Sequence, residues 1–134
     1  MDKNEILAFI TKSRIGYLGT VDGVAARVRG MDTFRADEDG LIFYTGKMKD
    51  VFKQVAKNPE VEVCYFAEGI QVRVRGKMEI VEDLTMKKEI VENRPFLKSF
   101  YKNGYDALGI FRLKGKATTW TMQDMGKPTT FIDL

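Results

Sequence analysis

The sequence of 134 residues contains no histidine and only one cysteine. The missing histidines exclude a histidine-based catalytic triad, a histidine general base, and any zinc or haem site ligated through histidine. The single cysteine, Cys64, excludes an intramolecular disulfide. Its place in the alternating segment 61–67 predicts a small buried hydrophobic residue rather than a nucleophile. We therefore expect no metal site and no imidazole or thiol catalysis.

Long apolar runs are also absent, and no segment approaches the roughly 18 uninterrupted apolar residues that span a bilayer. Residues 1–14 mix acids and lysines with short apolar runs, which is not the pattern of a signal peptide. The formal net charge of +3 is too small to indicate a nucleic-acid partner by itself. We therefore expect a cytoplasmic protein that contacts neither a membrane nor nucleic acid.

Short alternating segments bounded by turn residues dominate the sequence and predict strands. An amphipathic helix opens the chain, and further helical stretches are predicted over Lys47–Asn58 and, interrupted near Pro95, over Leu84–Phe100. The seven predicted strands cover residues 15–21, 24–34, 41–45, 61–67, 71–80, 108–113 and 117–122. With 44% hydrophobic residues, this pattern predicts one α+β domain over 1–134, mainly β with flanking helices, built on a closed antiparallel barrel.

The corner between the third strand and the next helix carries the most informative polar residues. They are Tyr44, Thr45, Lys47 and Lys49. A helix N-terminus favours anions through its free N–H groups and its dipole. The second strand places Arg27 and Arg29 on one face, because residues two apart in a strand point the same way. Arginine can bind a phosphate with two bonds and lysine adds a point charge, so this set suits a phosphate monoester.

Two further side chains suit a ring system. Gln71 opens the fifth strand with an amide that donates and accepts, and Trp120 offers a flat aromatic face. With the phosphate set they indicate a phosphorylated heteroaromatic ring such as flavin mononucleotide (FMN). Taken alone, Gln71 reads as a surface residue and Trp120 as core or interface packing. Arg73 and Arg75 are expected on the solvated side of the sheet.

Four short motifs follow one another in the middle of the chain. They are Arg-Val-Arg at 27–29, Phe-Tyr-Thr at 43–45 with a lysine that opens a helix, Asn-Pro at 58–59, and Gln-Val-Arg-Val-Arg-Gly at 71–76. Their order and spacing resemble the pyridoxamine phosphate oxidase-like family of FMN-binding split barrels, over roughly residues 5 to 122. The resemblance implies an antiparallel split β-barrel and a homodimer with a flavin at each interface.

The resemblance also implies how the phosphate end of FMN is held. Arg27 or Arg29 would reach the phosphate or the ribityl chain, and Lys49 would hold the phosphate. The sequence lacks the serine that the oxidases often carry before this lysine. Lys47 or backbone N–H groups would then supply the missing contact.

At the ring end, the resemblance implies that Tyr44 and Thr45 lie along the isoalloxazine and ribityl edge. Gln71 would meet the flavin ring. Trp120 would approach the cofactor that is bound mainly by the other subunit.

The C-terminal residues 128–134 depart from the family. The oxidases close with Arg-Leu-His-Asp-Arg, whereas this chain ends Pro-Thr-Thr-Phe-Ile-Asp-Leu, so true pyridoxamine phosphate oxidase activity is not expected. The resemblance implies an FMN-dependent oxidoreductase with an unidentified small-molecule electron donor or acceptor. A non-catalytic flavin-binding or electron-transfer protein, or a split barrel that uses deazaflavin or haem, stays open. A single-stranded nucleic-acid barrel is disfavoured, because segment 71–80 has charges without aromatics.

Overall fold

The computed structural model describes all 134 residues, which form eight strands, three α-helices and two 3₁₀ turns. The strands are β1 (Ile15–Asp22), β2 (Ala25–Asp37), β3 (Gly40–Gly46), β4 (Glu60–Ala67), β5 (Ile70–Val81), β6 (Leu108–Leu113), β7 (Lys116–Trp120) and β8 (Ile132–Asp133). The helices are α1 (Lys3–Ser13), α2 (Asp50–Lys57) and α3 (Leu84–Asn93), and the 3₁₀ turns are Pro95–Leu97 and Met122–Asp124. None of these helices is both long and apolar enough to cross a membrane.

Six of the strands close into an antiparallel barrel. The order is β4-β1-β2-β3-β6-β5, and β5 also pairs with β4, which completes the ring. Strands β7 and β8 continue the sheet beyond β5. A closed antiparallel barrel with extra strands is the split-barrel fold that the sequence predicts, so that prediction is confirmed.

The long strand β5 changes partner along its length, and this divides the barrel. Residues Gln71–Arg75 pair with β7, whereas Met78–Val81 pair with β6. At the change of partner, Gly115 packs so tightly that an added Cβ would lie 2.9 Å from the carbonyl carbon of Arg75. Only glycine allows this close backbone approach.

Alternate side chains of the strands fill the barrel, as the period of two predicts. The fully buried members include Leu18, Phe43, Val63, Tyr65, Val72, Val74 and Phe111. Helix α1 closes one side with Ile6 and Ile10, and α2 buries Val51 and Val55. Each fully buried aliphatic or aromatic side chain contributes roughly 1.5 to 3 kcal/mol, so the barrel is a rigid support for what lies on its surface.

Helix α3 packs on the outside of the barrel in a second cluster. Its Ile90 is fully buried against Ile42 of β3 and Ile110 of β6. After α3 ends at Asn93, the chain turns through Pro95–Leu97 and crosses back toward β6. The segment between α3 and β6 therefore lies beside the strand-to-helix corner.

The structure corrects two sequence-based expectations, on the start of α2 and on the burial of Cys64. Helix α2 begins at Asp50 rather than Lys47, because the N–H of Lys47 bonds to the carbonyl of Ala107 at 2.8 Å. The interruption predicted near Pro95 in the helical region 84–100 is observed, because α3 ends at Asn93 and a 3₁₀ turn covers Pro95–Leu97. The C-terminal tail also contains β8, whose two residues are too few to give an alternating strand pattern in the sequence. Cys64 is half-buried on the outer face of β4 instead of fully buried inside the barrel.

Candidate functional site

An open cavity of about 790 Å³ lies between β2 and α2, and we call it the cation cavity. Its cationic lining residues are Arg27, Arg29, Lys49, Lys53 and Lys57. Only two acids, Asp22 and Asp50, line it as well, and Asp22 pairs with Arg27 at 3.2 Å. A concave site lined mainly by one sign of charge attracts counter-ions, so this cavity favours an anionic ligand.

Arg29 is held in place by a hydrogen-bond network inside the cation cavity. Its guanidinium donates to the carbonyl of Leu18 at 3.1 Å, to the hydroxyl of Thr20 at 2.8 Å, and to the amide oxygen of Gln54 at 2.5 Å. The Thr20 hydroxyl donates to the same amide oxygen at 2.7 Å. Burial lowers the pKa of Arg29, and Asp50 opposes this. A guanidinium has five N–H donors, so Arg29 keeps free donors in a fixed position.

Lys49 and Thr45 complete the anion-binding side of the cavity. Lys49 is the N-cap of α2 with extended backbone, and its side chain makes no capping bond. The ammonium group is exposed and has no carboxylate partner. Thr45 is 6% exposed and lines the cavity. Its hydroxyl bonds to no other side chain, unlike Thr20 and Thr33, which both do.

A second cavity of about 430 Å³ adjoins the first, and we call it the apolar cavity. The two share Gly30, Met31, Thr45 and Lys49. The hydrophobic residues of the second cavity include Met31, Met48, Phe96, Leu97, Phe100 and Tyr101. Phe96 and Phe100 are 60% and 76% exposed. A flat apolar molecule can therefore bind here next to an anion in the cation cavity.

A carboxylate that the sequence analysis missed lies at the wall of the apolar cavity. Asp32 accepts hydrogen bonds from Arg14 at 2.6 Å, from Arg94 at 2.7 Å, and from the hydroxyl of Tyr44. Burial acts to raise the pKa of Asp32, but these three bonds outweigh burial and lower the pKa to about 2. Burial and the bond to Asp32 raise the pKa of Tyr44. Tyr44 therefore stays neutral, with its hydroxyl bound to Asp32.

Lys47 lies apart from the predicted phosphate set. Its ammonium group pairs with Glu82, which also accepts from the buried Lys87 at 2.9 Å. The two lysines lower the pKa of Glu82. Lys47 lines neither cavity. Its ion pair with Glu82 links the segment between β3 and α2 to the residue that follows β5.

Gln71 and Trp120 lie together but away from both cavities. They are directly paired between β5 and β7, and side chains of directly paired residues share one face. The strand registers extend this outward face to β4, β1 and β2. We call it the outer apolar face. It includes Tyr17, Val28, Cys64, Phe66, Gln71 and Trp120, and it also carries the ion pair of Arg73 with Glu62. Tyr17, Val28 and Phe66 are 57%, 71% and 64% exposed.

A third cavity, of about 820 Å³, lies near the C-terminus and has a mixed lining. Acidic and basic residues both line it, and Lys116 pairs with Asp133 at 3.5 Å. Its charges are largely compensated, so this cavity lacks the preference for anions that the cation cavity has.

The family model described as "Pyridoxamine 5'-phosphate oxidase" matches residues 2–121. The chain belongs to the pyridoxamine 5'-phosphate oxidase family. This confirms the resemblance that the sequence motifs indicate. No curated protein matches the sequence at a significant level.

Solved structures place the chain among pyridoxamine 5'-phosphate oxidase-like folds. A NimC/NimA family protein from Clostridium acetobutylicum matches with a TM-score of 0.79 and 24% identity, over 98% of this chain and 93% of that one. General Stress Protein 26 from Bacillus anthracis matches with a TM-score of 0.76 and 22% identity, over 98% of both chains. A FAD-binding protein from Mesorhizobium loti matches with a TM-score of 0.69 and 18% identity, over 89% and 94%. The family binds flavins, and these likenesses support the shared fold.

Proposed function

We propose that the chain binds FMN through the cation cavity and transfers electrons between the flavin and a small molecule. The observation that carries this proposal is the convergence of Arg27, Arg29, Lys49 and Thr45 on one cavity. All four come from the set that the sequence motifs predict. The family's use of flavins supports the same assignment.

The donors of the cavity fit a flavin phosphate. The free N–H groups of Arg29 and the unpaired ammonium of Lys49 supply charge-assisted bonds, which are the strong ones. The hydroxyl of Thr45 supplies a neutral bond, and the first backbone N–H groups of α2 have no partner within the helix. Phosphate oxygens accept bonds of all three kinds, so Lys47 is not required.

The apolar cavity fits the small-molecule electron partner. A bound flavin would supply reversible hydride or electron transfer. Met31 and Thr45 form the shared wall between the two cavities, where the flavin ring and the partner would meet. Phe96 and Phe100 line the apolar cavity, and their rings would exclude water from the contact between the flavin ring and the partner.

We propose that a second copy of the chain covers the outer apolar face. Tyr17, Val28 and Phe66 expose apolar side chains on one sheet face, around the ion pair of Arg73 with Glu62. Exposed apolar residues that polar residues surround are typical of interaction sites. Val28 also lines the cation cavity. The face therefore reaches the edge of the phosphate site, and a second copy would bring its own Gln71 and Trp120 toward the flavin ring.

The proposal excludes pyridoxine phosphate as the preferred substrate. The apolar cavity contains a carboxylate, Asp32, and its only cationic lining residue is Lys49. A second phosphorylated molecule would compete with the flavin phosphate for that lysine. The molecule that binds in the apolar cavity is therefore expected to be flat and to lack a phosphate group.

The proposal is tested by titrating FMN and riboflavin into wild-type protein and Lys49→Ala. Wild type should quench FMN fluorescence on binding. Lys49→Ala should weaken FMN binding by about ten-fold or more, which corresponds to a charge-assisted bond of roughly 1.5 to 3 kcal/mol. Riboflavin has the same ring without the phosphate, so its affinity should barely change.

The matched control is Lys102→Ala, because Lys102 is an exposed lysine outside both cavities. It should bind both ligands as wild type does. Equal weakening toward FMN and riboflavin in Lys49→Ala would contradict the phosphate role of this residue. Wild-type protein that binds neither ligand would contradict the proposed function itself.

A further inference from the structure

The cation cavity holds more positive charge than one phosphate needs. Lys49, Lys53 and Lys57 are spaced four residues apart on α2, and all three line the cavity. All three are exposed and lack a carboxylate partner within ion-pair distance. Like charges four residues apart destabilise a helix by roughly 0.2 to 0.5 kcal/mol per pair. The arrangement therefore opposes helix stability unless an anion binds along it.

The three lysines extend well beyond one phosphate. A helix rises about 1.5 Å per residue, so the eight residue steps from Lys49 to Lys57 span roughly 12 Å of the axis. Arg27, Arg29, Lys49 and Thr45 already suffice for a phosphate at the N-terminal end. Lys53 and Lys57 stand one and two turns farther along the same wall.

A neutral hydrogen-bond donor, the side-chain amide of Gln54, lies between Lys53 and Lys57 in the sequence of α2. Gln54 lines the cavity, and its amide oxygen accepts from both Arg29 and Thr20. That pairing fixes the amide so that its nitrogen is left as a donor with no partner in the chain. Lysine, amide and lysine then follow one another along α2, which suits an elongated anion with several oxygens.

The lining also selects among polyanions. No aromatic side chain lines the cation cavity, so it lacks the stacking surface that single-stranded nucleic acids require. The cavity volume of about 790 Å³ lies within the roughly 300 to 1,000 Å³ of small-molecule sites. A dinucleotide pyrophosphate fits both observations.

We propose that Lys53 and Lys57, with the amide nitrogen of Gln54, bind the second phosphate of a dinucleotide pyrophosphate. This inference rests on the proposed flavin site. The pyrophosphate has two possible sources that present the same chemistry. It belongs either to FAD bound in place of FMN, or to a nicotinamide dinucleotide that reduces the bound flavin.

The test compares wild type with the double variant Lys53→Ala/Lys57→Ala. In the first arm, FAD and FMN are titrated into flavin-free protein. If FAD is the source, the double variant should lose about ten-fold or more in FAD affinity, while FMN affinity stays within a factor of about three. In the second arm, NADPH and NADH are titrated into FMN-saturated protein. If a nicotinamide dinucleotide is the source, the same loss should appear there instead.

Two further variants separate a specific contact from a general loss of charge. Lys98→Ala/Lys102→Ala removes the same number of exposed lysines outside the cavity, and it should leave both arms unchanged. Lys53→Arg/Lys57→Arg keeps the positive charges and should restore the lost affinity. Circular dichroism of each variant checks that the fold is intact.

Three outcomes of these titrations would contradict the inference. Unchanged affinity in both arms would overturn it while leaving the proposed FMN site in place. An equal loss for FMN and FAD would show that the lysines act only as a general field, and would also overturn it. Failure of wild type to bind either flavin would overturn the proposed function, and this inference with it.

Discussion

Replacing Asp32 by asparagine should destabilise the fold at neutral pH and remove part of its acid sensitivity. The pKa of Asp32 is about 2, below its ordinary value of 3.8, so the folded state favours the ionised carboxylate. A lowered pKa contributes stability that is fully present above the ordinary value. That stability is lost as the pH falls from about 5 toward 2.

The size of the effect follows from the pKa and from the partners of Asp32. The fall in the pKa of Asp32 from 3.8 to about 2 contributes roughly 2 kcal/mol to the free energy of unfolding at neutral pH. Each pKa unit corresponds to about 1.4 kcal/mol. Asp32→Asn also leaves Arg94 without its carboxylate, and the Arg94 side chain is only 15% exposed. Breaking a fully buried pair costs about 3 to 5 kcal/mol, so for this largely buried pair we expect a total of roughly 2 to 4 kcal/mol.

The assay is urea unfolding of wild type and Asp32→Asn between pH 7 and pH 3. The free-energy gap between the two proteins should be largest at pH 7 and should narrow as wild-type Asp32 takes up a proton. Asp133→Asn is the control, because the side chain of Asp133 is 84% exposed, and its profile should parallel that of wild type. A gap that stays constant with pH, or an unchanged stability at pH 7, would refute the role assigned to the Asp32 network.

Two further predictions concern packing and assembly. Gly115→Ala should destabilise the fold by about 1 to 3 kcal/mol in urea unfolding, because the new Cβ would meet the backbone of Arg75. Gly30→Ala, whose Cβ would have its nearest neighbour at 3.8 Å, should cost much less, and equal costs would contradict the argument. In light scattering, wild type should have twice the chain mass of 15.3 kDa, whereas Phe66→Asp should give the single mass. A single mass for wild type would remove the proposed dimer.

Much of the fold could be predicted from the sequence because its signals are local. The seven predicted strands all appear within about three residues of their observed ends, since alternation and turn residues act over short distances. Arg27, Arg29, Thr45 and Lys49, which the sequence assigns to one phosphate set, line one cavity, and their role in binding stays a prediction. Arg27 and Arg29 lie on β2, Thr45 lies on β3, and Lys49 follows β3. Because β2 and β3 are consecutive in the chain and paired in the sheet, residues close in sequence are also close in space.

The parts that could not be predicted depend on contacts between distant segments. Asp32 and Arg94 are 62 residues apart, and no short pattern links an aspartate in a strand to an arginine before a proline. The ion pair of Lys47 with Glu82, 35 residues away, could not be predicted either, because the sequence near the motif offers Lys47 or backbone N–H groups as the phosphate contact and does not indicate this pair. The apolar cavity likewise needs the segment around Phe96 to fold back on the corner, which only tertiary packing decides.

The alternation of strand β2 explains why the site has two separate halves. Arg27 and Arg29 point to one side of β2 and line the cation cavity, while Val28 between them belongs to the outer apolar face. Gln71 lies on that outer face and lines neither cavity. If a second copy supplies the ring contacts, a monomeric Phe66→Asp variant should bind FMN and riboflavin less tightly by similar factors. The preference for FMN over riboflavin would then persist, because the phosphate contacts belong to one chain alone.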